Sequence, residues 1–150
     1  MRMFLFVACL ASIALAAEAA IPQPSPEAAV RDVYAADALS LRDNGLGAFS
    51  DPSARQRLFS RSLLRAIGAA AEIPADPFSD SSPHLVDLKV AATFENGTAG
   101  TVGVDFARGD GAREHLTYAL VLERREWRID DIGYALLGGE NRTLRGMISR

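Results

Sequence analysis

Cysteine is almost absent from this sequence. The 150 residues contain one, Cys9, which lies within an apolar run from Met3 to Ala17. If this run is removed as a signal segment, the remaining chain has no cysteine. That excludes disulfide bonds, a thiolate nucleophile and a cysteine-ligated zinc site, so the core alone must stabilise the fold.

Long apolar runs and an excess of positive charge are also missing. The N-terminal run is roughly fifteen residues, shorter than the ~20 that a transmembrane helix needs. The chain has 16 basic and 19 acidic residues, a net charge of −3, whereas nucleic-acid-binding proteins present a basic face. We therefore expect no nucleic-acid partner and no stable membrane insertion once the run is removed.

The N-terminus has the pattern of a cleavable secretory signal. Arg2 precedes the apolar run, and Ala17-Glu18-Ala19 is a small-x-small triplet of the type that signal peptidase cleaves. We predict a signal peptide over residues 1–19, cleaved after Ala19 or after Ala20, and an extended leader over residues 20–25. An uncleaved anchor and lipid attachment at Cys9 are the alternatives. The protein is then exported, and it is periplasmic if its source is a Gram-negative bacterium.

Residues 26–150 have the length of a single domain, and their first half predicts helices. Ser25-Pro26 is a typical helix start, and Asn44-Gly45 a typical stop, for a helix over roughly 26–41. Asp51-Pro52 and Ser60 are two further starts, the latter opening an apolar face with Leu63, Leu64, Ile67 and Ala71. Residues 74–83 form a breaker-rich linker in which Phe78 is expected to reach the core.

After the linker, the hydrophobic period changes to strict alternation. Leu88, Val90, Ala92 and Phe94 are expected to face the core from the first strand, and Asn96-Gly97 forms a hairpin turn. A turn at Gly109–Gly111 separates the second apolar strand from the third. A turn at Arg124-Arg125 separates the third from a fourth strand that begins at Trp127. The sequence thus predicts an α+β domain with N-terminal helices packed on a curved four-strand antiparallel sheet, closed by a short helix from Thr143.

Four short motifs carry a resemblance to a known family. They are Ala29-Val30-Arg31-Asp32-Val33-Tyr34, Phe59-Ser60 with Leu63-Leu64, Asp76-Pro77-Phe78 and Trp127-Arg128-Ile129-Asp130-Asp131-Ile132. Together they resemble the nuclear-transport-factor-like superfamily of cone-shaped (cystatin-like) α+β domains. Within it, the chain is similar to a bacterial envelope family, domain-of-unknown-function family 3828. The superfamily contains ketosteroid isomerase, scytalone dehydratase and many non-catalytic binding modules, so the resemblance implies a fold and no particular activity.

A curved sheet under helices leaves a concave interior in which a ligand can bind. We expect Tyr34, Phe78, Tyr118, Trp127 and Asp131 to line it. An inward-facing Asp131 could act as a general acid or base, with Tyr118 as a donor and His115 as a proton carrier. His115 and Tyr118 have opposite parity on their strand, however. Trp127, Ile129 and Ile132 cannot all face inward on a regular strand, so we expect a bulge at Asp130-Asp131. The structural alternative for Asp131 is that it accepts hydrogen bonds from backbone amides, for example at a helix start or the linker, and fixes this bulge.

Two other groups of charged residues are expected to be solvated rather than to form a site. Asp76, Asp80 and His84 repeat every four residues, but Pro77 and Pro83 make a helix there unfavourable, so we expect no metal site and no cofactor. Arg57, Arg61 and Arg65 would form one basic stripe only if a single helix ran through Ser60.

Three hypotheses for function remain at this stage. The first is a non-catalytic module that binds a small apolar ligand or an envelope protein. The second is a small cofactor-free lyase or isomerase that uses Asp131, and the third is an immunity or inhibitor protein. The sequence contains no phosphate-binding glycine loop and no serine-nucleophile elbow.

Overall fold

A computed structural model describes residues 25–73, 76–79, 82, 84–135 and 141–149. The predicted signal peptide and the leader up to residue 24 lie outside the described residues. None of the helices in these ranges is long and apolar enough to cross a membrane.

The described residues form helices followed by an antiparallel sheet, as predicted for an α+β domain. Within these residues, four helices, one 3-10 turn and five strands follow one another along the chain. They are α1 (Pro26–Asn44), η1 (Ala48–Ser50), α2 (Pro52–Leu58), α3 (Arg61–Ala69), β1 (Leu85–Glu95), β2 (Ala99–Arg108), β3 (Arg113–Glu123), β4 (Glu126–Ala135), β5 (Asn141–Thr143) and α4 (Leu144–Ile148).

The helix boundaries follow from side chains that cap the helices. The hydroxyl of Ser25 accepts the amide of Ala28, and Gly45 ends α1 with φ 71°, donating its amide to Leu41. Asp51 and Ser60 cap α2 and α3 in the same way. The three predicted helix starts are confirmed, although α1 continues to Asn44 and α3 ends at Ala69, before Ala71.

In the part of the chain that the structure describes, the sheet has five strands in the order β1-β2-β3-β4-β5, rather than the four predicted. The additional strand, β5, pairs with β4 through Gly133 and Thr143. Three residues are too few to show an alternating pattern, so β5 left no signal in the sequence. The turn at Arg124 and Arg125 is confirmed, with φ values of 53° and 68°.

The prediction that β1 alternates regularly is wrong. Register shifts interrupt its pairing with β2 between Val86 and Lys89 and again between Ala92 and Phe94. Each extra residue reverses the side to which the following side chains point. Val90 is the one buried side chain of β1, while Leu88 and Phe94 are 37% and 55% exposed.

The core lies between the helices and one face of the sheet. Its largest fully buried side chains include Phe59, Leu63, Phe78, Tyr118 and Ile132. Phe78 reaches this core as predicted, and its ring stacks on that of Phe59 with centroids 5.9 Å apart. The linker segment 76–79 is thus anchored in the core.

Candidate ligand-binding cavity

A cavity of about 290 Å³ opens where the linker segment meets one end of the sheet. The end of β2, the start of β3, the end of β4, β5, α4 and residues 76–79 each contribute to its wall. The lining residues are Asp76, Pro77, Phe78, Ser79, Phe106, Arg108, Glu114, Leu116, Tyr134, Ala135, Arg142 and Met147.

Apolar and charged side chains both line the cavity. Phe78, Phe106, Leu116, Tyr134 and Met147 supply its apolar surface. The charged lining residues are two arginines, Arg108 and Arg142, and two acids, Asp76 and Glu114, so their formal charges cancel. The Arg108 guanidinium lies 3.6 Å from the Glu114 carboxylate and 3.5 Å from that of Asp110.

Hydrogen bonds from two tyrosine hydroxyls hold the linker segment 76–79 in place. The Tyr134 hydroxyl donates to the carbonyl of Pro77 over 3.1 Å, and the Tyr34 hydroxyl donates to that of Phe78 over 3.4 Å. Tyr34 and Tyr118 share a further hydrogen bond of 2.9 Å. Burial raises the pKa of all three tyrosines, so these hydroxyls stay protonated and remain able to donate.

A cluster of polar side chains lies between this segment and α1. The buried carboxylate of Asp37, on α1, accepts the amide of Ala48 over 2.8 Å. Its other oxygen lies 3.0 Å from the Ser79 hydroxyl, which is also 2.8 Å from Asp76. Burial, and next the charge of Asp76, raise the pKa of Asp37.

The structure separates the residues predicted to line one pocket. Phe78 lines the cavity, whereas Tyr34 and Tyr118 are buried in the core. Trp127 lies in a different groove of about 370 Å³, between α1, α2 and the start of β4. Asp131 lines neither the cavity beside residues 76–79 nor the groove of Trp127.

Asp131 has the structural role that was the alternative to catalysis. The register of β3 and β4 passes from Ala119 and Asp131 to Leu120 and Ile129, which leaves Asp130 at the predicted bulge. After this bulge, Ile132 is buried and Asp131 shares the outer sheet face of Ala119. Its carboxylate accepts the amides of Ile132 (2.9 Å) and Arg145 (3.0 Å), which caps the start of α4.

The proposed catalytic set is not assembled. His115 is exposed on the outer face of the sheet, with its Nδ1 2.7 Å from the Asp105 carboxylate. Tyr118 is fully buried on the opposite face. Asp131 pairs with Ala119, four residues from His115 along β3, which places the two about 13 Å apart at the usual rise per residue.

Sequence reasoning missed two polar clusters. Asp37 follows Val30, Val33 and Tyr34 on the apolar stripe of α1, and a carboxylate at such a position was the available signal. The second cluster joins the Ser60 hydroxyl and the Arg145 guanidinium through the carboxylate of Asp130. It depends on a parallel bridge between Phe59 and Ile129, for which the sequence carried no local signal.

The other two groups considered as sites were the triplet of Asp76, Asp80 and His84 and the stripe of Arg57, Arg61 and Arg65. Within the described ranges, no group of three or more histidine, cysteine or acidic side chains could hold a metal ion. Asp80, of the predicted triplet with Asp76 and His84, lies outside those ranges. The arginine stripe is interrupted as predicted, because α2 ends at Leu58 and α3 begins at Arg61.

Comparison of the chain with protein-family models, with curated proteins and with solved structures found no match.

Proposed function

We propose that this protein is an exported, non-catalytic module that binds a small, uncharged and largely apolar ligand in the cavity beside residues 76–79. The observation that carries the proposal is the cavity itself, which combines an apolar lining with a few polar groups. That combination is typical of small-molecule sites, where apolar surface provides affinity and polar groups fix the orientation.

The charges of the lining favour an uncharged ligand. Arg108 and Arg142 are balanced by Asp76 and Glu114, so neither an anion nor a cation gains a net electrostatic advantage. Arg108 also lies near Asp110. An uncharged ligand with one hydrogen-bonding group can meet these side chains without leaving a buried charge unpaired, which would be costly.

The volume limits the size of the ligand. A cavity of about 290 Å³ corresponds to roughly ten water molecules at about 30 Å³ each. This is at the lower end of ligand pockets, which span about 300–1,000 Å³. We therefore propose a small compound, such as a phenol or a short aliphatic alcohol, rather than a long lipid chain.

The arrangement of acids and bases supports binding over catalysis. The lyase or isomerase hypothesis requires Asp131 beside Tyr118 or His115, and these residues lie on different faces or far apart on the sheet. The carboxylate of Asp131 is occupied by two backbone amides. A general base must instead be within reach of the proton that it removes.

We also propose that the fold is that of the nuclear-transport-factor-like cone and that the chain belongs with the envelope family it resembles. The order of helices and then antiparallel strands supports this. The position of the Trp127–Ile132 motif within β4 also supports it. Residues of this motif bond to the N-terminal ends of two helices, Ile129 to Ser60 at the start of α3 and Asp131 to Arg145 at the start of α4.

Native mass spectrometry of the gently purified protein tests the binding proposal. Ala135 lines the cavity and is exposed, so Ala135→Trp should fill the opening without disturbing the core. The matched control is Ala119→Trp, an exposed alanine on the outer face of β3. We expect a non-covalent adduct on the wild type and on the control, and its loss from Ala135→Trp.

Two results would contradict this proposal. A bare mass for the wild type under gentle conditions would show that the cavity does not retain a ligand. An adduct that persists in Ala135→Trp would show that the ligand binds elsewhere.

A further inference from the structure

The contact between Asp37, Ser79 and Asp76 contains more acceptors than hydrogens. Asp37 is 2% exposed and Ser79 is 1% exposed, so both are removed from solvent. The Ser79 oxygen lies 3.0 Å from Oδ2 of Asp37 and 2.8 Å from Oδ2 of Asp76. Both distances are those of good hydrogen bonds between oxygens.

A serine hydroxyl carries a single hydrogen, and an ionised carboxylate carries none. If both acids were ionised, Ser79 could donate to only one of them, and the second contact would be a repulsion between two oxygens. The short distances are explained if one carboxyl group retains a proton.

The other hydrogen bonds of the two acids favour Asp37 Oδ2 as the oxygen that holds this proton. Oδ1 of Asp37 accepts the amide of Ala48, so its Oδ2 is the oxygen free to be protonated. Oδ1 of Asp76 accepts the amides of Phe78 and Ser79, an arrangement that suits a carboxylate. The protonated Asp37 then donates to Ser79, and Ser79 donates to the ionised Asp76.

We propose that Asp37, Ser79 and Asp76 form a protonated clasp that fastens Asp76 and Ser79 to α1, and that losing the proton of Asp37 releases these two residues of the cavity wall. Pro77 and Phe78 stay in place, because the hydroxyls of Tyr134 and Tyr34 still donate to their carbonyls. The clasp does not require the cavity to bind a ligand.

The other titratable groups around the clasp do not replace this proton. Tyr34 from α1, Tyr118 from β3 and Tyr134 from β4 face the acids, and all three remain neutral because burial raises the pKa of each. η1 contributes Ala48, Phe49 and Ser50, which carry no charge. The charged groups, Arg108, Glu114 and Arg142, line the cavity on the side of Asp76.

The direction of the pH effect follows from the pKa of Asp37, which burial and the neighbouring Asp76 raise above its ordinary value. A carboxyl group whose pKa is raised by folding binds its proton more tightly in the folded state. Its contribution to stability is therefore complete below the ordinary value of about 3.9 and is lost as the pH rises through the raised pKa.

Asp37→Asn imitates the protonated state at every pH. The amide oxygen can accept from Ala48, and the amide nitrogen can donate to Ser79. We expect the melting temperature of the variant to fall less than that of the wild type as the pH rises from about 4 to 8, so that at pH 8 the variant melts about 4 °C higher. Asp51→Asn is the matched control, because Asp51 is an exposed helix cap and asparagine caps equally well.

Hydrogen exchange of the wild type provides a second measurement that needs no variant. The amides of Phe78 and Ser79 donate to Asp76. After correction for the intrinsic rate, we expect their protection to fall about tenfold as the pH rises from about 4 to 8. The amide of Ala48 is the internal reference, because an ionised Asp37 accepts it at least as well as a protonated one. Unchanged protection of the Phe78 and Ser79 amides would overturn the proposal, as would an Asp37→Asn variant that folds but is less stable than the wild type at pH 8.

Discussion

At the scale of single residues, Gly47 shows how closely the backbone approaches the buried Asp37. Its φ of −62° is accessible to any residue, so conformational freedom does not explain the glycine. Space does, because a Cβ atom at this position would lie 2.6 Å from Oδ1 of Asp37. This oxygen cannot move far, since it also accepts the amide of Ala48.

Gly47→Ala should therefore destabilise the protein by about 1–3 kcal/mol, the usual cost of overpacking a core. The matched control is Gly68→Ala in α3, where a Cβ atom would meet nothing within 4 Å. That change should stabilise the protein by roughly 0.5–1 kcal/mol, because alanine is favoured over glycine within helices. Urea unfolding of both variants measures the two effects, and equal midpoints would show that Gly47 has no such constraint.

Asp130 and Asp131 illustrate which features of single residues could be predicted from the sequence. The bulge at Asp130 and Asp131 was predictable, because Trp127, Ile129 and Ile132 cannot all face inward on a regular strand. The partners of Asp131 were not, since one of them is the amide of Arg145, which arrives from α4. Hydrogen bonds between distant segments leave no periodic pattern.

At the scale of elements, β1 departs most from its sequence pattern. Alternation predicted that Phe94 faces the core, yet the second bulge pairs it with Thr101 on the outer face of the sheet. Val102, the next residue of β2, is fully buried on the other face. A bulge of one residue is enough to reverse the burial of an aromatic side chain.

Phe94→Ser should consequently change the free energy of unfolding by no more than about 0.5 kcal/mol. Phe106→Ala, which truncates a ring buried on β2, should cost about 3–5 kcal/mol. Thermal or urea unfolding of the pair checks this difference. Comparable losses in the two variants would mean that Phe94 is buried and that β1 alternates regularly after all.

Elements defined by local chemistry were the most predictable. Helix starts at Ser25, Asp51 and Ser60 and the stop at Gly45 follow from capping groups within a few residues of each end. Bulges, and a strand as short as β5, depend instead on the register of the neighbouring strand. That register is set by packing across the whole sheet.

At the scale of the whole molecule, the cavity could be expected but its wall could not. Helices packed on a curved sheet imply a concave space, and Phe78 was expected to reach the core. The wall also includes Phe106, Tyr134 and Met147, which are far apart in the chain. Periodicity indicates which face of an element is buried, but it does not indicate which elements meet.

Met147 provides a direct probe of the cavity. It lines the cavity from α4, and the other methionines, Met1 and Met3, lie within the predicted signal peptide. Selective ¹³C labelling of methionine methyl groups therefore gives a signal for Met147 that the variant Met147→Leu identifies.

The most direct measurement is a titration of this methyl signal with small uncharged compounds such as phenols and short alcohols. We predict a saturable shift in the wild type and in Ala119→Trp, and none in Ala135→Trp, whose indole fills the opening. A Met147 signal that no compound moves, or that moves equally in Ala135→Trp, would contradict the conclusion that this cavity is a ligand site.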